Sequence, residues 1–89
     1  MPAYNEGNYI SYSIEETVKT FNEFGCIWEL IIMDDGSTDD TYKKAMEFSV
    51  KYPDNVMAKK NPFNFGKGRA LKKALHYVSG DYTVFLDAD

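Results

Sequence analysis

Two aspartates separated by one residue, Asp87 and Asp89 with Ala88 between them, follow the apolar run 82–86. Carboxylates at that spacing beyond a strand can both turn toward one divalent cation and the diphosphate it holds. Oxygen donors select a hard ion, Mg²⁺ or Mn²⁺, and two carboxylates leave coordination positions for phosphate oxygens and water. A second acidic segment, Asp34-Asp35-Gly36-Ser37-Thr38-Asp39-Asp40-Thr41, follows the apolar residues 30–33. A carboxylate there can accept a hydrogen bond from the ring N–H of uracil or guanine, and Asp35 is the candidate. The residues from Thr38 to Asp40 also suit a helix entry, where an Asp or Thr cap is favoured by the helix dipole.

A third segment, Asn61-Pro-Phe-Asn-Phe-Gly66-Lys67-Gly68-Arg69-Ala70-Leu71, sends glycines into a helix N-terminus with two cations beside them. Lys67 can meet a phosphate there. It is not a P-loop, because Asn61 and Gly68 stand where a glycine and a Ser or Thr are needed. Leu71 likewise replaces the third glycine of a dinucleotide-binding fingerprint. The bland reading is a flexible loop before a solvated basic helix start. Tyr4 can pack on a nucleobase or simply fill its own turn. Cys26 reads as a small hydrophobe and His76 as a surface residue, since neither has a partner at catalytic or metal-ligating spacing.

These segments need elements to hold them. Apolar residues at Ile10, Ile14, Val18, Phe21 and Phe24 recur at helical spacing over 9–24, with Glu15, Glu16, Lys19 and Glu23 opposite and Gly25 as the stop. The run 28–33 is nearly all apolar and rich in β-formers, as a strand buried on both faces should be. Thr41, Ala45, Phe48 and Tyr52 mark the inner face of a second helix, broken at Pro53-Asp54-Asn55. Residues 55–58 suit a short strand, 61–68 a loop, 70–78 a third helix ended by Gly80, and 81–86 a last strand. Helices alternating with strands predict an α/β fold, a parallel sheet flanked by helices, with ligands beyond the carboxyl ends of the strands. The turn Tyr4–Glu6 would share that rim if a strand precedes it. Only residues 1–3 could belong to such a strand, so the sheet is expected to be truncated at both ends.

Size and composition bound the rest. The 89 residues suit one domain with a small core. A net charge of -4 argues against a general nucleic-acid binder, although cations do gather between Lys59 and Lys73. One cysteine excludes an internal disulfide and a cysteine metal cage. No apolar run approaches membrane-spanning length and no signal peptide opens the chain, so a cytoplasmic setting is expected.

Taken in order, the segments resemble the N-terminal half of a family 2 glycosyltransferase. Pro2-Ala3-Tyr4-Asn5-Glu6 is similar to that family's opening turn, and the stretch from Trp28 to Asp39 to its second strand and acidic turn. Asn64 to Leu71, Gly80-Asp81-Tyr82 and Phe85-Leu-Asp-Ala-Asp89 are similar to its later pieces. The polyprenyl- and dolichyl-phosphate sugar synthases carry the nearest pattern. The resemblance implies a GT-A fold, a partial doubly wound and mainly parallel sheet, and a UDP- or GDP-sugar donor. It implies that Pro2, Tyr4 and Glu6 line a nucleoside pocket and that Met33 and Asp35 meet the base. By the same resemblance Asp87 and Asp89 serve the ribose–diphosphate and the cation. It further implies inverting, metal-dependent transfer to an acceptor such as a polyprenyl phosphate or glycan, at the cytoplasmic face of a membrane in the full-length protein. Asp40 and Ala74 depart from the family by standing where glycine is common. The family's catalytic base is expected downstream of Asp89, so this chain is read as the donor-binding half, inactive alone. Two rivals are a non-catalytic nucleotide-binding module, regulatory or decayed, and a nucleotidyltransferase. The second would place a glycine-rich phosphate loop where Tyr4-Asn5-Glu6 stands.

Overall fold

A computed structural model describes residues 1–77, 86 and 88, without the side chain of His76. The chain runs β1 (Pro2–Ala3), α1 (Ile10–Phe24), β2 (Leu30–Asp34), α2 (Thr41–Lys51), β3 (Val56–Lys60) and α3 (Lys67–Ala74), followed by a 3₁₀ turn at Leu75–Tyr77. The strands form a parallel sheet in the order β1-β2-β3. The expected α/β class is therefore what the structure has. The final strand anticipated at 81–86, with Val78 and Gly80 before it, lies outside the described residues apart from Leu86.

Every residue of β2 is buried, and alternation divides its side chains between two cores. Leu30 and Ile32 join Ala3, Val56 and Ala58 against Ile10, Ile14 and Val18 of α1 and Ala45 and Phe48 of α2. Ile31 and Met33 face the other way and pack with Ala70 and Ala74 of α3. Ile10, Ile14 and Ile32 are wholly buried; burial of each such side chain contributes roughly 1.5–3 kcal/mol. Helices α1 and α2 thus cover one face, while α3 crosses back over the other to touch β1 and β2. The change of face places the N-terminus of α3 near the end of β1, where open α/β sheets form a ligand crevice.

Element ends differ from the sequence reading for identifiable reasons. β2 starts at Leu30, not at 28, because β3 first offers a partner there, pairing Leu30 with Val56. Trp28 instead stacks on Phe21 at 5.8 Å and donates its indole N–H to Asn22 at 3.1 Å. β3 runs two residues past Ala58, since Met33 and Asp34 pair with Lys59 and Lys60. Asp34 therefore ends a strand and does not begin the turn. α3 begins at Lys67, earlier than expected, because Gly66 takes φ 93° and turns the chain into it. Phe24 is exposed, off the inner face that spacing gave it, as is Cys26. Residues 2 and 3 do form a strand: Pro2 pairs with Met33 and Ala3 with Asp34. No helix among the described residues is long and apolar enough to cross a membrane.

Candidate functional site

Parallel strands send their following loops to one edge, and here the segments after β1, β2 and β3 meet there. The first two are joined by a ladder of side-chain bonds. Asn5, held at φ 51°, accepts the Thr38 N–H at 2.8 Å and the Thr38 hydroxyl at 3.3 Å. The Asn5 N–H donates to the Ser37 hydroxyl oxygen at 2.9 Å, and the Glu6 N–H to the Thr41 hydroxyl oxygen at 2.9 Å. The Gly7 N–H donates to the Asp39 carboxylate at 3.0 Å, and Lys44 closes the set by donating to the Gly7 carbonyl at 2.6 Å. Asn5, Ser37, Thr38, Asp39 and Thr41 are thereby used to build the rim.

Asp39 works as the helix-entry reading anticipated, with a shift of one place. The backbone capping position belongs to Asp40, whose side chain makes no capping bond. Asp39, just before it, accepts the Thr41 N–H at 3.0 Å and also the Thr41 hydroxyl. The Thr41 hydroxyl holds the Asp39 carboxyl below its ordinary range. Desolvation opposes this, and the N–H groups of Thr41 and Gly7 reinforce it.

The second and third segments are joined through Asp35, which is 3% exposed. Its Oδ1 accepts the Asn61 side-chain amide at 3.1 Å and the Phe65 N–H at 3.0 Å. Its Oδ2 accepts the Gly66 N–H at 2.8 Å. Asn61 is itself buried and donates its backbone N–H to the Asp34 carbonyl at 2.8 Å. Asp34 is wholly buried; its Oδ2 accepts the Ser37 N–H at 3.2 Å, and its Oδ1 has no partner among the described residues.

These segments surround a cleft of about 410 Å³ lined by Pro2, Ala3, Tyr4, Glu6, Asp35, Asn64, Gly66, Lys67 and Ala88. Five of the residues picked out in the sequence, Pro2, Tyr4, Glu6, Asp35 and Lys67, therefore share one cavity. Met33 is not among its lining; its side chain is 2% exposed and belongs to the core beneath α3. Asp87 and Asp89 lie outside the described residues. Ala88, between them in sequence, is buried, lines the cleft, and has its carbonyl oxygen bonded by the Ser13 hydroxyl at 2.5 Å. Among the described residues no group of three metal-ligating side chains occurs.

Sequence reasoning missed Asn61 and Asn64. Asn61 sits before Pro62 at a strand end, which is ordinary turn chemistry. Only its contact with a residue 26 positions earlier distinguishes it. Asn64 accepts the Gly66 N–H at 2.9 Å and faces the cleft.

Comparison with known proteins extends these observations. The profile of glycosyl transferase family 2 matches residues 1–89. The chain belongs to that family. A dolichyl-phosphate beta-glucosyltransferase of Trichomonas vaginalis is 32% identical over the whole chain, which covers 29% of that protein. A dolichyl-phosphate beta-glucosyltransferase of Saccharomyces cerevisiae is 33% identical, again over the whole chain and 28% of its own length. The UDP-Glc:alpha-D-GlcNAc-diphosphoundecaprenol beta-1,3-glucosyltransferase of Escherichia coli is 37% identical over the whole chain and 33% of its length. The chain spans about a third of these family 2 relatives. The resemblance seen in the motifs, to glycosyltransferases and to their lipid-phosphate branch, is thus what the comparisons find.

Proposed function

We propose that this chain binds the nucleotide-diphosphate sugar donor of a sugar transferase and contributes the nucleoside wall of its active site. The observation that carries the reading is the cleft where Tyr4, Glu6, Asp35 and Lys67 converge beside Ala88. Tyr4 offers a ring face to the base, Asp35 an acceptor for a ring N–H, and Lys67 at the start of α3 a positive charge for phosphate. Asp87 and Asp89 supply hard oxygen donors suited to Mg²⁺ or Mn²⁺. A divalent ion held there would offset charge on the leaving diphosphate. The general base is assigned to none of these residues. The names of the relatives support a lipid-linked acceptor, dolichyl or undecaprenyl in type.

The test is calorimetric titration with UDP and GDP, each with and without Mn²⁺. Metal-dependent binding of one nucleotide is expected. A folded chain that binds neither nucleotide would overturn the donor reading. Asp89→Ala is expected to remove the metal-dependent part of binding, and unchanged metal dependence would sink that assignment.

A further inference from the structure

We infer that Asn61 is a positioning residue for ligand recognition by Asp35, resting on the donor-site reading above. An ionised carboxylate has about four lone-pair positions. In Asp35 two of them, both on Oδ1, are occupied by the Asn61 amide and the Phe65 N–H, and a third, on Oδ2, by the Gly66 N–H. Among the described residues, the remaining acceptor capacity is on Oδ2. Two of the donors are main-chain groups that only proline would delete. Among the described residues, Asn61 is the side chain through which the sequence sets the rotation of this carboxylate.

Its placement suits the role. Asn61 is 1% exposed and is not part of the cleft lining, so it approaches Asp35 from the protein interior while Asp35 faces the cavity. Its own backbone is tied to the Asp34 carbonyl at 2.8 Å, so the amide projects from a fixed point just beyond the end of β3. Asn61 thus holds Oδ1 and leaves one acceptor site for one N–H of a ligand. A nucleobase presenting a single ring N–H fits that vacancy. An edge that offers two parallel donors would need both oxygens.

The experiment compares wild type with Asn61→Leu, which keeps volume but deletes the donor, and Asn61→Ser, which keeps a smaller donor. Each is titrated with UDP and with inorganic pyrophosphate in the presence of Mn²⁺, after circular dichroism has checked folding. Loss of one hydrogen bond to a charged group is expected to weaken UDP binding about tenfold in Asn61→Leu. Pyrophosphate binding should stay within about twofold, and Asn61→Ser should recover part of the UDP affinity. Unchanged UDP affinity in both variants would overturn the inference. So would equal weakening of UDP and pyrophosphate, or loss of folding in both variants, since each marks a purely structural residue. Wild type that binds pyrophosphate but not UDP would instead refute the nucleoside-wall reading, and the inference with it.

Discussion

Gly36 and Phe63 meet through main chain alone: a methyl group at Gly36 would stand 2.4 Å from the Phe63 carbonyl carbon and 2.7 Å from its oxygen. Gly36 also holds φ 73°, in the left-handed region. The acidic turn and the loop after β3 approach this closely because residue 36 lacks a side chain. Gly36→Ala should destabilise the protein by about 2 kcal/mol or more, combining backbone strain with displacement of the loop. Urea unfolding followed by Trp28 fluorescence measures it. Gly7→Ala provides the contrast, because the atoms nearest its methyl would be the side-chain carboxylates of Asp40 and Asp39, and Asp40 is exposed and can swing away.

Asn5 gives a second prediction. Its side-chain oxygen accepts two donors from Thr38, and its φ of 51° is one that asparagine and aspartate tolerate better than alanine. Asn5→Ala should cost about 1–2 kcal/mol. Asn5→Asp, which keeps the acceptor, should cost less, and the reverse order would refute the role given to that oxygen.

Asp39 makes stability depend on pH. Its folded-state pKa lies below the unfolded value, chiefly because of the Thr41 hydroxyl. The contribution is therefore fully present above the unfolded pKa and is lost as pH falls through the folded one. Asp39 is exposed, so solvent screening keeps the effect small. Asp39→Asn should lower the unfolding midpoint at neutral pH, and the gap from wild type should close on acidification. A gap that widens in acid would contradict the assignment.

Asp35→Ala should release the loop it holds. The Asn61 amide and the Phe65 N–H would lose their acceptor, and the Gly66 N–H would keep only that of Asn64. Leaving such groups unpaired costs about 1–3 kcal/mol in stability. Hydrogen exchange should accelerate at the amides of residues 65 and 66 more than at those of β2.

What the sequence disclosed and what it hid divide along a physical line. Periodicity located Ile10, Ile14 and Val18 on one helix face and Thr41, Ala45 and Phe48 on another, because burial of a helix is written in spacing along the chain. The unbroken apolar run of β2 disclosed a strand covered on both faces. Tyr4, Glu6 and Asp35 were legible as rim residues because parallel topology dictates where their turns must gather, and Lys67 was legible from the glycines that lead into its helix. Asn61 was not legible, nor was the bonding of Asn5 to Thr38. Those contacts join segments 26 to 33 residues apart, and nothing in local spacing records which loops meet across an edge. Met33 shows the converse: a position adjacent to the acidic turn faces the core because strand side chains alternate.

The turn that carries Tyr4 and Glu6 follows β1 and is cross-linked to the acidic turn beyond it. Its rigidity comes from the cross-links to Ser37, Thr38, Asp39 and Thr41, which form as the chain folds. A ligand entering the cleft would consequently find this wall already assembled. The conformational entropy of that wall is surrendered during folding and is not charged again to each ligand. The heat-capacity change on binding then reports the area the ligand covers, without the added signature of a loop becoming ordered.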